Sequence, residues 1–189
     1  TVAGLADGAR ETLTLDGTAI GLSDGASGTT ATNSLSYSVS VVGTTATLSL
    51  TGGTLSVGAA EMLIDGASYQ NNSQDPGTSN RVVTLTEVQD SGGTANGGSD
   101  TATLSVASTV SVTGVNDAPT LTATGSNPTF TEGGAAGSLF SGTSISTVEA
   151  GQAIEGLTLT VAGLVDGASE ILTLDGTAIG LSDGASGTT

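Results

Sequence analysis

The run LTLDGTAIGLSDGASGTT occurs twice, at 13–30 and again at 172–189. The likeness is wider than these eighteen residues. Residues 1–30 align with 160–189 without a gap and differ only at Ala6/Val165, Arg10/Ser169 and Thr12/Ile171. The offset, measured from Asp16 to Asp175, is 159 residues. Near-identity at a fixed spacing marks a tandem repeat, and this period is far beyond the roughly 20–50 residues of a solenoid unit. It is the length of a whole β domain. The chain is therefore expected to be a window on an array of similar domains. On that reading 1–115 is the later part of one unit and 116–189 the opening part of the next.

Composition narrows what such a domain can be. Thirty glycines, two Phe, two Tyr, no Trp and no Cys leave Val, Leu, Ile and Ala to build a core. Thr on strand surfaces suits a β-rich fold. The absence of Cys removes disulfide staples. Eighteen acids face two bases, Arg10 and Arg81, for a net charge of −16. A chain with that imbalance repels nucleic acid and anionic membrane surfaces. It also repels itself, so its acids are either spread over a solubilising surface or neutralised by bound cations. No apolar stretch of roughly 20 residues is present to span a bilayer.

Hydrophobic periodicity gives the elements. LSYSVSVV (35–42) alternates apolar and Ser, a short turn follows, and TATLSLT (45–51) places Ala46, Leu48 and Leu50 on one face. Together they predict an antiparallel hairpin. RVVTLTEV (81–88), TATLSVASTVSVT (101–113) and LTLTVAGL (157–164) predict further strands, and ETLTL (11–15) and EILTL (170–174) predict short ones that end at Asp-Gly turns. Only 57–69 has helical spacing, through Ala60, Leu63 and Ile64, which predicts one short helix near 57–65. Many short strands separated by Gly-rich turns imply an all-β sandwich.

A break falls within VTGVNDAPTLTATG (112–125), where one strand ends, Pro119 follows Asn116 and Asp117, and another strand begins. Asn-Asp just ahead of a proline is a turn and breaker signal. It places the junction between units at 115–119.

At VNDAPT, at FTEGG (130–134) and at NGGSD (96–100), the chain resembles the cadherin-like repeats of giant bacterial surface adhesins and other type I-secreted repetitive proteins. The resemblance implies Ig-like β-sandwich repeats joined end to end outside the cell, with Ca2+ at the junctions stiffening the rod. It implies that Asn116 and Asp117 lie at a junction, with Glu132 nearby. The acidic Asp-Arg-Glu motif of animal cadherins is absent. Chemistry adds candidates independently, because Ca2+ takes six to eight oxygens from carboxylates, carbonyls and water. Asp90 and Asp100 flank a Gly-rich loop; Asp7, Glu11 and Asp16, matched by Asp166, Glu170 and Asp175, cluster around one hairpin. Each Asp in an Asp-Gly pair has a second reading as an ordinary turn residue.

Enzymatic constellations fail on composition. There is no His, Cys or Lys, so no Ser-His or Cys-His pair is available. Paired carboxylates could hydrolyse sugars, but the four aromatics are too few to line a sugar cleft. The expected function is a structural repeat of an extracellular fibre or adhesin stalk, a cation-stiffened spacer without catalysis. Its partners are neighbouring units or copies of itself, with a host or surface ligand reached through other parts of the full protein. Two other readings stand beside it: a filament subunit joined by strand exchange or head-to-tail stacking, and a carbohydrate- or surface-binding module.

Overall fold

Alternating apolar and small polar side chains form strands where each finds a neighbour to share backbone hydrogen bonds. The computed structural model describes residues 1–184, with thirteen strands and one short α-helix among them. All strand pairing is antiparallel. The chain divides into two compact units, Thr1–Gln152 and Ala153–Thr189. The last five residues of the second repeat copy, 185–189, lie outside the described residues.

The first unit holds β1 (Val2–Ala3), β2 (Glu11–Leu15), β3 (Thr18–Gly21), β4 (Ser27–Thr29), β5 (Ser36–Val42) and β6 (Thr45–Thr51). The helix α1 (Val57–Asp65) follows, then β7 (Ser68–Asn71), β8 (Arg81–Gln89), β9 (Thr101–Val110), β10 (Thr120–Gly125) and β11 (Phe140–Ser146). One sheet runs β4-β5-β6-β1-β8-β9, a second runs β3-β2-β7, and β10-β11 form a separate hairpin. The β5–β6 hairpin has the register its alternation implies, with Val39 opposite Leu48 and Val41 opposite Ala46. The core of this all-β sandwich is Val2, Leu5, Leu13, Ile20, Leu22, Val39 and Ala46, with Tyr37, Tyr69 and Val83 packed against it. Full burial of each large aliphatic side chain contributes about 1.5–3 kcal/mol.

The helix expected near 57–65 is α1, Val57–Asp65, and 68–71 beyond it forms β7. Gly66 closes the helix, and β7 gains a ladder to β2 that a longer helix would forfeit. Two other expectations change on contact with the fold. The strand expected over 101–113 stops at Val110. The strand expected over 157–164 does not form. Its counterpart in the first copy is only the two-residue β1, which is a strand because β6 and β8 flank it. The described part of the second unit contains no such flanking strands. What it does contain is β12 (Ile171–Leu174) and β13 (Thr177–Gly180). Their register, Leu172 opposite Ile179 and Leu174 opposite Thr177, repeats that of β2 and β3, where Leu13 faces Ile20 and Leu15 faces Thr18.

Gly4 shows how far this difference in neighbours reaches. Its φ is 85°, and a Cβ there would lie 2.3 Å from the carbonyl oxygen of Asn80. Gly163, its counterpart, has φ 80° and open space around the same position. Gly4→Ala therefore adds a steric clash to the backbone strain, whereas Gly163→Ala adds strain alone. Urea unfolding should show Gly4→Ala as the more destabilising substitution by at least about 1 kcal/mol.

Candidate functional site

Where β2 begins in one sheet and β8 begins in the other, the chain buries a carboxylate and a guanidinium together. Glu11 and Arg81 are both 0% exposed. Arg81 Nε donates to Glu11 Oε2 at 2.8 Å, and its Nη2 donates to Asp7 Oδ2 at 2.8 Å and to Glu11 Oε1 at 3.2 Å. The remaining nitrogen donates to the carbonyls of Gly77 and Ser79. All five guanidinium hydrogens thus have acceptors.

Glu11 is equally well served. Its Oε1 accepts the backbone N–H groups of Ala6 and Asp7, each at 2.7 Å. Its Oε2 accepts the Tyr69 hydroxyl at 2.6 Å. Asp7 also accepts from Asn71 Nδ2 at 2.6 Å and from the Gly77 N–H. Gly77 has no room for a side chain, since a Cβ would lie 2.5 Å from that of Ala6. Burial alone would raise the Glu11 pKa, but hydrogen bonds from Arg81, Tyr69 and the two N–H groups outweigh it and hold the carboxyl at about 2. Burial and the Glu11 carboxylate push Tyr69 up to about 12. The hydrogen bond to Glu11 raises the Arg81 pKa.

This arrangement gives two of the hairpin acids a counter-charge. Asp7 and Glu11 do come together, but around Arg81, which supplies the positive charge at that point. Asp16 lies at the other end of β2, in the Asp-Gly turn, with φ 50°. Its carboxylate accepts from the Thr30 hydroxyl and from Asn33. Burial opposes ionisation there, and those hydrogen bonds outweigh it, so the Asp16 pKa is lowered. In the second copy Glu170 accepts the N–H groups of Val165 at 2.7 Å and Asp166 at 2.9 Å, which lowers its pKa. Asp175 repeats the turn of Asp16, with φ 46°. Asp90 and Asp100 close the β8–β9 loop, the N–H of Asp90 donating to the Asp100 carbonyl at 2.8 Å. Asp90 accepts from the Gly92 N–H, and Asp100 from Gln89 and Thr101, which lower its pKa.

Asn116 and Asp117, expected from sequence at a junction, lie within the first unit and take part in a second cluster. The Asp117 N–H donates to Glu149 Oε1, Gln152 donates to Asn116 Oδ1 at 2.7 Å, and the Ala150 N–H donates to Asp75 Oδ2 at 3.0 Å. Glu149 Oε2 is buried and has no hydrogen-bond partner. The residue before it, Val148, has φ 71°, an uncommon conformation for a β-branched side chain. Glu132 stands exposed on a separate turn, with no hydrogen bond to this cluster among the described residues. No three acids converge as a metal-holding group among the described residues. The orphaned Glu149 oxygen is nevertheless the feature that best fits a cation, because Ca2+ accepts carboxylate, carbonyl and water oxygens in mixed sets.

Sequence reasoning missed Tyr69, Arg81 and Glu149. A signal for Arg81 exists: one of only two bases in the chain opens an apolar strand. Elsewhere, α1 and the Asp16 turn border a cleft of about 230 Å³ lined by Asp16, Asn33, Met62 and Leu63 among others, with no aromatic side chain. No helix among the described residues is long and apolar enough to cross a membrane. Comparison with known proteins finds no matching family, curated protein or solved structure.

Two outcomes test the node. Arg81→Leu leaves Glu11 and Asp7 buried without their counter-charge and should cost about 3–5 kcal/mol in urea unfolding. Tyr69→Phe should cost about 1–2 kcal/mol. The Glu11 pKa falls from an ordinary 4.5 to about 2 on folding. Its stabilisation, about 3 kcal/mol, is present above pH 4.5 and is lost as pH falls from there toward 2. Glu11→Gln should flatten that part of the acid-stability curve.

Proposed function

We propose that this chain is a structural repeat of an extracellular surface fibre or adhesin stalk, a cation-stiffened spacer without catalysis. The observation that carries the reading is the repetition itself. Two copies at an offset of 159 residues keep the same hairpin register and the same carboxylate cap. A repeated framework serves spacing, because a monotonous stalk needs no unique site in each unit. The polar chemistry of the first unit supports this, since its most buried charged groups are consumed by one another rather than directed at a cleft.

In this reading the cation is Ca2+, held near Glu149 with oxygens from the 116–117 turn. Bound there, it would neutralise the orphaned carboxylate oxygen and tie 149 to the turn. The experiment is thermal unfolding with Ca2+, with chelator, and with Mg2+ at matched ionic strength. Ca2+ at about a hundredfold over its Kd should raise Tm by about 5–10 °C, and Glu149→Gln should abolish the rise. Equal melting in all three conditions would leave the apolar core and Arg81 node as the stabilising elements and remove the cation from the reading.

A further inference from the structure

Asparagine followed by glycine lets a side-chain amide and the next main-chain nitrogen meet with little steric hindrance, because glycine carries no Cβ. The chain contains that pair once, at Asn96–Gly97. It lies in the loop between β8 and β9, whose ladder ends with Gln89 opposite Thr101. Beyond that pair the Asp90 N–H closes the loop on the Asp100 carbonyl at 2.8 Å. Residues 91–99 are all exposed. Four of them are glycines, and a Cβ on Gly93 or Gly97 would meet nothing within 4 Å. Asn96 sits in the left-handed region, with φ 56° and ψ 29°.

The other asparagines are held or blocked. Asn33 and Asn71 donate their amides to Asp16 and Asp7. Asn72 is followed by Ser73, whose N–H donates to the Asn71 side chain at 2.9 Å. Asn80 is followed by Arg81, which opens the β8 ladder. Asn116 bonds to Gln152 and to the Asp117 carbonyl. Asn127 precedes Pro128, which has no N–H to lose.

We propose that Asn96–Gly97 is a self-modifying site, at which the chain's own backbone converts Asn96 to aspartate or isoaspartate with water as the co-reactant. The Gly97 nitrogen gives up its proton and bonds to Asn96 Cγ. The Cγ–Nδ2 bond breaks, and that nitrogen takes up the proton and leaves as ammonia. Water then opens the five-membered imide. Opening at Cγ gives aspartate; opening at the main-chain carbonyl carbon gives isoaspartate, whose backbone runs through Cβ and Cγ. No group is oxidised or reduced. Ring closure needs Cβ and the Gly97 nitrogen on one side of the Cα–C bond, so ψ of Asn96 must turn away from 29°. The flanking glycines permit that rotation. The hydrogen bond it gives up, from the Gly98 N–H to the Ala95 carbonyl at 3.1 Å, lies among exposed residues.

The two products act differently on the loop. Aspartate keeps the left-handed turn, a conformation that Asp16 and Asp175 also adopt, and adds a carboxylate between Asp90 and Asp100. Isoaspartate lengthens the main chain by one carbon inside the turn. Both leave the Gln89–Thr101 ladder and the Asp90–Asp100 closure in place, so the loop registers chemical age while the fold persists. The inference rests on this loop alone and is independent of the spacer reading.

The test is incubation of the full chain in warm, ammonia-free buffer made with heavy-oxygen water, followed by anion exchange and peptide mass mapping. A species with one added negative charge, −17 in place of −16, should accumulate. It should carry heavy oxygen at residue 96 as a mixture of aspartate and isoaspartate, and its urea midpoint should match that of fresh protein. Isomerisation at the Asp-Gly turns leaves the charge unchanged, so it does not produce this species. Asn96→Gln, which would need a larger ring, should abolish it, and Asn96→Asp should co-elute with it from the start. An added charge that maps to another residue, or that persists in Asn96→Gln, would overturn the proposal. So would a chain whose charge stays constant through prolonged incubation.

Discussion

The Glu11–Arg81 pair crosses the sandwich, and the first unit depends on that crossing. A buried ion pair is tolerable only when every hydrogen-bonding position is filled. Here the filling comes from three stretches distant in sequence: the loop at 6–7, the end of β7, and the turn at 77–79. The N–H cap from the loop is local and forms at Glu170 as well, but the contacts of Arg81 and Tyr69 to Glu11 join stretches some sixty to seventy residues apart. The node therefore links the two sheets, through β2 and β7 in one and β8 in the other. It also accounts for one of the two positive charges that this acidic chain possesses.

The fold class is legible in the sequence because its signals are local. The alternation over Leu35–Val42, the Asp-Gly turn at 16–17 and the β2–β3 register need only near neighbours. Residues 157–164 show the limit of that logic. Their alternation is as regular as that of any strand here, yet a strand requires partners on its edges, and periodicity carries no information about whether they are present. Tyr69 lies just past the helix, and its ladder to β2 carries it against the core.

The site is less legible. The grouping of acids around the hairpin follows from sequence, but their neutralisation by a base seventy residues away does not. Asp7 and Glu11 read as ligands for a free cation because acids in a chain this poor in bases have few other partners. Glu149 escapes a sequence reading because it lies outside every turn motif. Its significance comes from burial of one oxygen, which only three-dimensional packing reveals.

The placement of β1 has a mechanical consequence. β1 and β9 both run antiparallel to β8, on its two sides, and so run parallel to each other. Tension applied at Thr1 and at Val110 would load these strands along their length in opposite directions. The ladder would be sheared, with its hydrogen bonds strained together, rather than peeled one at a time. Beyond the short β1, a pull from Thr1 meets the hydrogen bond from the Leu5 N–H to the Thr44 carbonyl, then Asp7, which is paired with Arg81. Force would thus reach the charge node only after the central strand had slipped.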